Sequence, residues 1–73
     1  MSRKVGTIPK APMARILLNA GAKRVSADGT DAFVEVVTTI TEEIAKKSVM
    51  IAKHSGRKTI HEGDVKIAAK QIS

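Results

Sequence analysis

The sequence predicts an all-α protein with a short helix, a long helix and a second short helix, joined by two loops. Apolar residues recur at helical spacing from Ala27 to His54 with no proline between them. Shorter stretches with the same spacing precede and follow this segment. The 73 residues include no cysteine, and a chain of this size buries only about 60% of its unfolded surface. Because no disulfide or thiolate metal site can compensate, we expect a second chain to complete the core.

The first helix is predicted over "APMARILLNAG", residues 11–21. Pro12 suits a first helical turn, and Gly21 is a typical C-terminal stop. Four residues share one face of this helix at the i, i+3, i+4, i+7 spacing: Met13, Ile16, Leu17 and Ala20.

The long helix is predicted from Ala27 to His54, with Ser26 as its N-cap and with Asp28 and Asp31 near the positive end of its dipole. Such a helix is about 42 Å long, whereas a compact globule of this chain length is roughly 29 Å across. The helix is therefore predicted to pair with its counterpart from a second copy in a two-fold dimer. Its main apolar stripe consists of Phe33, Val36, Val37, Ile40, Ile44 and Ile51.

The third helix is predicted from His61 to Gln71. Two capping pairs fit its start equally well, namely Thr59 with Glu62 and His61 with Asp64. Its apolar face is predicted to hold Val65, Ala68, Ala69 and Ile72.

The net charge of +6 and the pI of about 10.1 point to a polyanionic partner, nucleic acid before an anionic membrane surface. The charge is +6 over residues 1–26, −3 over residues 27–52 and +3 over residues 53–73. A basic membrane-surface helix would instead carry its cations along one long polar face. Phe33 is the one aromatic residue, so stacking platforms for single-stranded bases are nearly absent. Without a long apolar run or a signal peptide, we expect an intracellular, soluble protein.

Each predicted loop carries cations. Lys23 and Arg24 stand in the first loop, and Arg57, Lys58 and Thr59 stand together in the second. If two long helices cross antiparallel, the first loop of one chain lies beside the second loop of the other. The two loops would then form a composite site for phosphate groups.

Catalytic and metal-binding alternatives are weak. No nucleophile and base form a recognisable set, and "GRKT" lacks the glycine directly before lysine that a phosphate-binding P-loop needs. His54, His61, Glu62 and Asp64 surround a helix start, where polar residues more often cap and pair than bind metal. We therefore expect no enzyme activity, no metal and no cofactor.

Four segments together resemble the archaeal histones: "AGAKRVS", the long helix, "AKHSGRKTI" and "GDVKIAAK". The resemblance covers about residues 9–72. It implies a short basic tail over residues 1–9 and a histone-fold domain over residues 10–73. The implied function is to bind and wrap double-stranded DNA, as handshake dimers that assemble into larger oligomers on the chromosome in the cytoplasm. Paralogous histones are implied as further partners, and a small RNA binder is a weaker alternative.

The resemblance also implies roles for individual residues in DNA binding. Arg15 matches the position where paired first helices meet DNA at the centre of the dimer. Lys23 and Arg24 match the first-loop cations, of which Arg24 is the arginine that enters the minor groove. Lys58 and Thr59 match a second-loop pair that contacts phosphate and orients that arginine.

Other positions are implied to make protein contacts. Arg57, which belongs to the predicted phosphate site as well, matches a residue that pairs with Asp64 and ties the second loop to the third helix. Gly21 matches a small-residue position where stacked turns of the protein superhelix pass closely. The implied contact between dimers comprises Ile51, His54, Asp64 and Ile67.

The chain departs from the family pattern in a longer tail before Pro9, in a C-terminal "QIS" without the usual cation cluster, and at three single positions. Lys10 stands where an apolar residue is common. Gly29 and Gly63 lie in the first turns of the second and third helices, where each is expected to cost up to about 1 kcal/mol against alanine. The remaining alternative function is a histone-fold subunit of a transcription-regulatory heterodimer.

Overall fold

The computed structural model describes residues 8–72, which contain three helices and no strand. Helix α1 is Lys10–Asn19, α2 is Ala27–His54 and α3 is Glu62–Ile72. The predicted short–long–short, all-α order is confirmed. The chain divides into two compact units, residues 1–38 and residues 39–73, and α2 runs through both. Most of the predicted tail, residues 1–7, lies outside the described residues.

Helix α1 ends in a hydrogen-bonded reversal that requires a glycine. Gly21 has a φ of 124°, a value that side chains with a Cβ rarely adopt. Its N–H donates to the carbonyl of Leu18 at 3.0 Å, and the N–H of Ala22 donates to the carbonyl of Leu17 at 3.2 Å. These two bonds define a Schellman motif, which satisfies carbonyls that the helix end leaves free. Gly21 therefore has a local reason to be glycine, independent of any stacking role.

Lys10 and Asp31 form an ion pair at 2.7 Å, which fastens the start of α1 to the first part of α2. Both side chains are more than half exposed, at 66% and 55%, so the pair contributes little to the free energy of folding. Lys10, which departs from the family pattern, thus has an ion-pair partner in Asp31 that sequence spacing alone did not indicate.

Helix α2 begins as predicted at the N-cap Ser26. The hydroxyl of Ser26 accepts the N–H of Gly29 at 3.0 Å and donates to the carboxylate of Asp28 at 2.6 Å. The hydrogen bond from Ser26, followed by that from the backbone N–H of Gly29 to the same carboxylate, holds the pKa of Asp28 below its usual value. A Cβ on Gly29 would lie 2.9 Å from this hydroxyl. Alanine at position 29 would therefore require the Ser26 hydroxyl to shift, which opposes the gain expected from replacing Gly29.

The two buried apolar residues lie in the second unit. Ala52 of α2 is 2% exposed and Ala68 of α3 is 0% exposed. Small side chains at both positions allow two helices to approach closely. Val65, predicted on the inner face of α3, is 43% exposed.

The end of α2 repeats the Schellman motif, with Gly56 at a φ of 76° and the N–H of Arg57 bonded to the carbonyl of Ala52 at 2.9 Å.

Much of the apolar surface is left uncovered within one chain. Among residues 8–72, the buried apolar residues are two alanines, and no large side chain is fully buried. Val36 and Ile40, on the predicted stripe of α2, are 57% and 45% exposed. A chain in water does not leave such a stripe open without cause, so this surface fits the expected pairing with a second chain. The other large exposed apolar residues are Ile16, Leu18, Val49, Met50, Ile60, Val65 and Ile67.

Within residues 8–72, none of the helices is both long enough and apolar enough to cross a membrane.

Candidate nucleic-acid interface

Loop 2, residues 55–61, is held by an ion pair between Arg57 and Asp64 of α3. The guanidinium donates to both carboxylate oxygens of Asp64, at 2.8 and 2.9 Å. The same guanidinium donates to the backbone carbonyl of Thr59 at 3.2 Å. A two-bond arginine–carboxylate contact fixes orientation as well as distance. Arg57 therefore joins both arms of loop 2 to α3.

Asp64 also caps the start of α3. Its carboxylate accepts the backbone N–H of His61 at 2.8 Å, which selects the pairing of His61 with Asp64 over that of Thr59 with Glu62. The residue is buried, with 3% of its surface exposed. The hydrogen bonds from Arg57, followed by that from His61, hold the pKa of the carboxyl well below its usual range. The same contact raises the pKa of Arg57. The pair is therefore fully ionised at neutral pH.

Two residues at the tip of loop 2 remain outward-facing. Lys58 and Thr59 are exposed, whereas Arg57 is only partly so. The guanidinium of Arg57 already makes three short hydrogen bonds within the chain. Lys58 and Thr59 are therefore free to offer an ammonium and a hydroxyl to a phosphate, while Arg57 acts mainly as their support.

The other predicted DNA-binding residues lie in the first unit. Arg15 is exposed on α1, and Lys23 and Arg24 are exposed in loop 1, residues 20–26. Loop 1 follows the Schellman motif at Gly21 and ends at the α2 cap Ser26. Both ends of the loop are thus hydrogen-bonded, so its two cations project from a short, anchored segment.

The four predicted dimer–dimer residues differ in their exposure. Ile67 is 49% exposed and His54 is exposed, while Ile51 is half-buried. Asp64 is buried, and its carboxylate accepts hydrogen bonds from Arg57. In the single chain, Asp64 therefore has little surface left for another dimer.

A groove in the second unit adjoins these residues, and we call it the Lys47 groove. Its lining includes two of the predicted contact residues and others to which sequence reasoning gave no site role. Helical spacing could have indicated most of this lining, because positions 47, 50, 51 and 54 lie on one face of α2. The lining residues are Lys47, Met50, Ile51, His54, Ser55 and Gln71.

Over residues 8–72, no three His, Asp or Glu side chains cluster in a way that could hold a metal ion.

The chain belongs to the family of histone-like transcription factors (CBF/NF-Y) and archaeal histones, whose model matches residues 7–69. It is 49% identical over 63 residues to the "Probable archaeal histone 3" of Methanocaldococcus jannaschii. It is 41% identical over 63 residues to one of the subunits of the archaeal histone HAN1 of Thermococcus zilligii. Each alignment covers 86% of this chain and 94% of the relative. The resemblance to archaeal histones and the predicted histone fold are confirmed, and the handshake dimer is typical of that fold.

Proposed function

We propose that two copies of this chain form a handshake homodimer that binds and wraps double-stranded DNA largely without sequence preference. The chain is a DNA-binding chromatin protein of the archaeal-histone type, as its family and relatives indicate. A regulatory heterodimer subunit is not favoured, because both relatives are named as histones. Its place is on the chromosome, in the cytoplasmic nucleoid, and its role is structural rather than catalytic.

The observation that carries the proposal is the construction of loop 2. The ion pair of Arg57 with Asp64 holds the loop from within, and Lys58 and Thr59 stay exposed at its tip. The ion pair beneath the loop is partly buried, with 33% of the Arg57 side chain and 3% of the Asp64 side chain exposed. A loop that must present an ammonium and a hydroxyl to phosphates at a fixed spacing gains from one, because ordering is then complete before DNA arrives.

Dimerisation is supported by the open apolar stripe of α2. Val36 and Ile40 remain about half exposed in the single chain, and antiparallel crossing of two α2 helices would cover them. The same crossing brings loop 1 of one copy beside loop 2 of the other. Lys23 and Arg24 would then join the partner's Lys58 and Thr59 at each end of the dimer.

DNA would contact the dimer in three regions. The two loop pairs form the outer regions, and the paired α1 helices with Arg15 form the central one. In this arrangement phosphates provide most of the affinity, and Arg24 enters the minor groove where it faces the protein. Preference among sequences would come from the ease of bending the DNA. Neighbouring dimers would contact each other through Ile51, His54 and Ile67. Asp64 would contribute less, because Arg57 already binds its carboxylate.

Nuclease protection tests this proposal. The purified protein is mixed with long duplex DNA at increasing loading and digested with micrococcal nuclease. We expect protected fragments that grow in regular steps as dimers add. Ile67→Glu should shorten the ladder to its smallest fragment, because it places a charge in the dimer–dimer contact without touching either loop.

The control is Lys53→Glu, which places an acidic side chain at an exposed position of α2 outside the predicted contact. A ladder shortened equally by both substitutions would refute the assignment of Ile67. If the wild-type protein protects no fragment at low salt, the DNA-wrapping function itself is wrong.

A further inference from the structure

Helix α1 begins without the features that fix the start of α2. Pro9 precedes α1 and makes no side-chain cap, the first turn contains no acidic residue, and no residue of the helix is buried. Helix α2, in contrast, begins at the Ser26 cap. Its first turn is also held by Thr30, which is 8% exposed and donates its hydroxyl to the Ser26 carbonyl at 3.1 Å. The start of α2 is therefore a firm reference, and the start of α1 needs a contact with it to keep one orientation.

Lys10 begins the inward face of α1. The half-buried residues of this helix follow it at the i+3, i+4 and i+7 positions, namely Met13, Ala14 and Leu17. An apolar side chain at position 10 would continue this face. Lysine instead places an ammonium in the first turn of a helix, where the dipole disfavours a positive charge. The carboxylate of Asp31, at 2.7 Å, offsets that cost.

Arg15 lies on the other side of the same helix. Positions 10 and 15 are about 140° apart around a helix with 3.6 residues per turn, and about 7.5 Å apart along it. While Lys10 binds Asp31, Arg15 is therefore on the exposed side. A change in the tilt or rotation of this ten-residue helix moves the guanidinium of Arg15 with it.

We propose that the ion pair of Lys10 with Asp31 positions Arg15 for its contact with DNA at the centre of the dimer. Lys10 is a positioning residue, because its charge is used against Asp31 within the chain and not against a phosphate. Both partners are more than half exposed, so the pair contributes orientation more than stability. The inference rests on the proposed function, which assigns Arg15 to the central DNA contact.

Asp31→Asn separates positioning from direct contact, because the two roles predict changes of opposite sign. The substitution frees Lys10 and adds one positive charge per chain, so a phosphate contact by Lys10, or net charge alone, would make DNA binding tighter. Loss of positioning should instead weaken it. With one ion pair lost from each chain of the dimer, we expect about a fivefold lower affinity, equivalent to roughly 1 kcal/mol. The measurement is fluorescence anisotropy at low salt with a duplex that holds one dimer.

Three further variants test how the pair acts. Glu42→Gln makes the same change in net charge at an exposed position of α2 and should not weaken binding. The charge swap Lys10→Glu with Asp31→Lys restores opposite charges without changing net charge, and it should recover most of the lost affinity. In an Arg15→Ala background, Asp31→Asn should cause no further loss, because a positioning contact acts only through the residue that it positions.

Equal or tighter binding by Asp31→Asn would overturn the inference. A loss as large in the Arg15→Ala background would overturn it too, because the pair would then act on another part of the dimer. So would a charge swap that binds no better than Asp31→Asn. If Asp31→Asn is largely unfolded at the assay temperature by circular dichroism, the pair is a stabilising contact and the inference is also wrong.

Wild-type protein still binds duplex DNA in all of these outcomes. Failure of the proposed function would remove that binding as well, so the two failures are distinguishable.

Discussion

The two first-turn glycines should respond to alanine in opposite ways, although sequence reasoning treats them alike. A Cβ added at Gly63, the second residue of α3, meets nothing within 4 Å. In a helix interior, alanine is more favourable than glycine by about 1 kcal/mol of folding free energy. In a first helical turn we expect roughly half of that difference. We expect Gly63→Ala to stabilise each chain by about 0.5 kcal/mol, which raises Tm by roughly 2–4 °C for a domain of this size.

At Gly29 the same gain is opposed by the cap of α2. The added Cβ would lie 2.9 Å from the Ser26 hydroxyl, which already holds the Gly29 N–H at 3.0 Å. Loss of an N-cap bond costs about 1 kcal/mol, so Gly29→Ala should leave Tm unchanged or lower it slightly. In a Ser26→Ala background there is no hydroxyl to displace, and Gly29→Ala should then stabilise.

The assay is thermal unfolding followed by far-ultraviolet circular dichroism. All variants are measured at one protein concentration, because the Tm of a dimer depends on concentration. The four combinations at Ser26 and Gly29 form a double-mutant cycle that isolates their coupling. The reasoning is refuted if Gly29→Ala and Gly63→Ala raise Tm equally, or if Gly63→Ala lowers it.

Two further predictions concern loop 2 and its ion pair. Because the pKa of Asp64 is lower in the folded chain than the ordinary value of about 3.9, its contribution to stability is complete above that value and is lost as the pH falls below it. Urea unfolding from about pH 6 to pH 2.5 should therefore show a shallower loss of stability for Asp64→Asn than for wild type, and parallel curves would contradict the role of this carboxyl. Lys58→Ala should reduce the slope of log K against log salt by about 2 per dimer, since each phosphate contact contributes about 0.9. Lys53→Ala is the matched control, and an equal loss of slope with it would mean that Lys58 makes no specific phosphate contact.

The sequence predicts the bounds of α2 well because its ends are marked by local chemistry. Ser26 can bond only to the first turn that follows it, and Gly56 supplies the positive φ on which the helix ends. Each signal acts within a few residues, so neighbouring positions suffice to find it. The same local reasoning predicted a cost at Gly29 without the close approach of the Ser26 hydroxyl, which opposes replacement by alanine.

The start of α3 could not be predicted in the same way. Both capping pairs satisfy the local rules, and the choice is made by Arg57, which lies seven positions before Asp64 and binds the same carboxylate that caps the helix. The ion pair of Lys10 with Asp31 spans 21 positions and belongs to no local motif. The Lys47 groove was partly visible as a face of α2, but its lining by Gln71 depends on tertiary packing.

Asp64 both caps α3 and binds the guanidinium of Arg57, and this makes Arg57→Lys an informative change. Lysine keeps the positive charge but cannot donate two parallel hydrogen bonds to a carboxylate. The charge of loop 2 is thus preserved while its orientation is lost. DNA affinity should fall at every salt concentration, and the salt slope should stay near that of wild type, because the number of neutralised phosphates is unchanged.

Lys58→Ala should give the opposite pattern, with a reduced slope and an intact loop. Salt titration of DNA binding for both variants therefore distinguishes a residue that orients loop 2 from one that contacts phosphate. If Arg57→Lys binds like wild type, the guanidinium contributes only charge, and the ion pair with Asp64 does not position the loop for DNA. If its slope falls as far as that of Lys58→Ala, Arg57 contacts phosphate directly, and the hydrogen bonds within the chain must open when DNA binds.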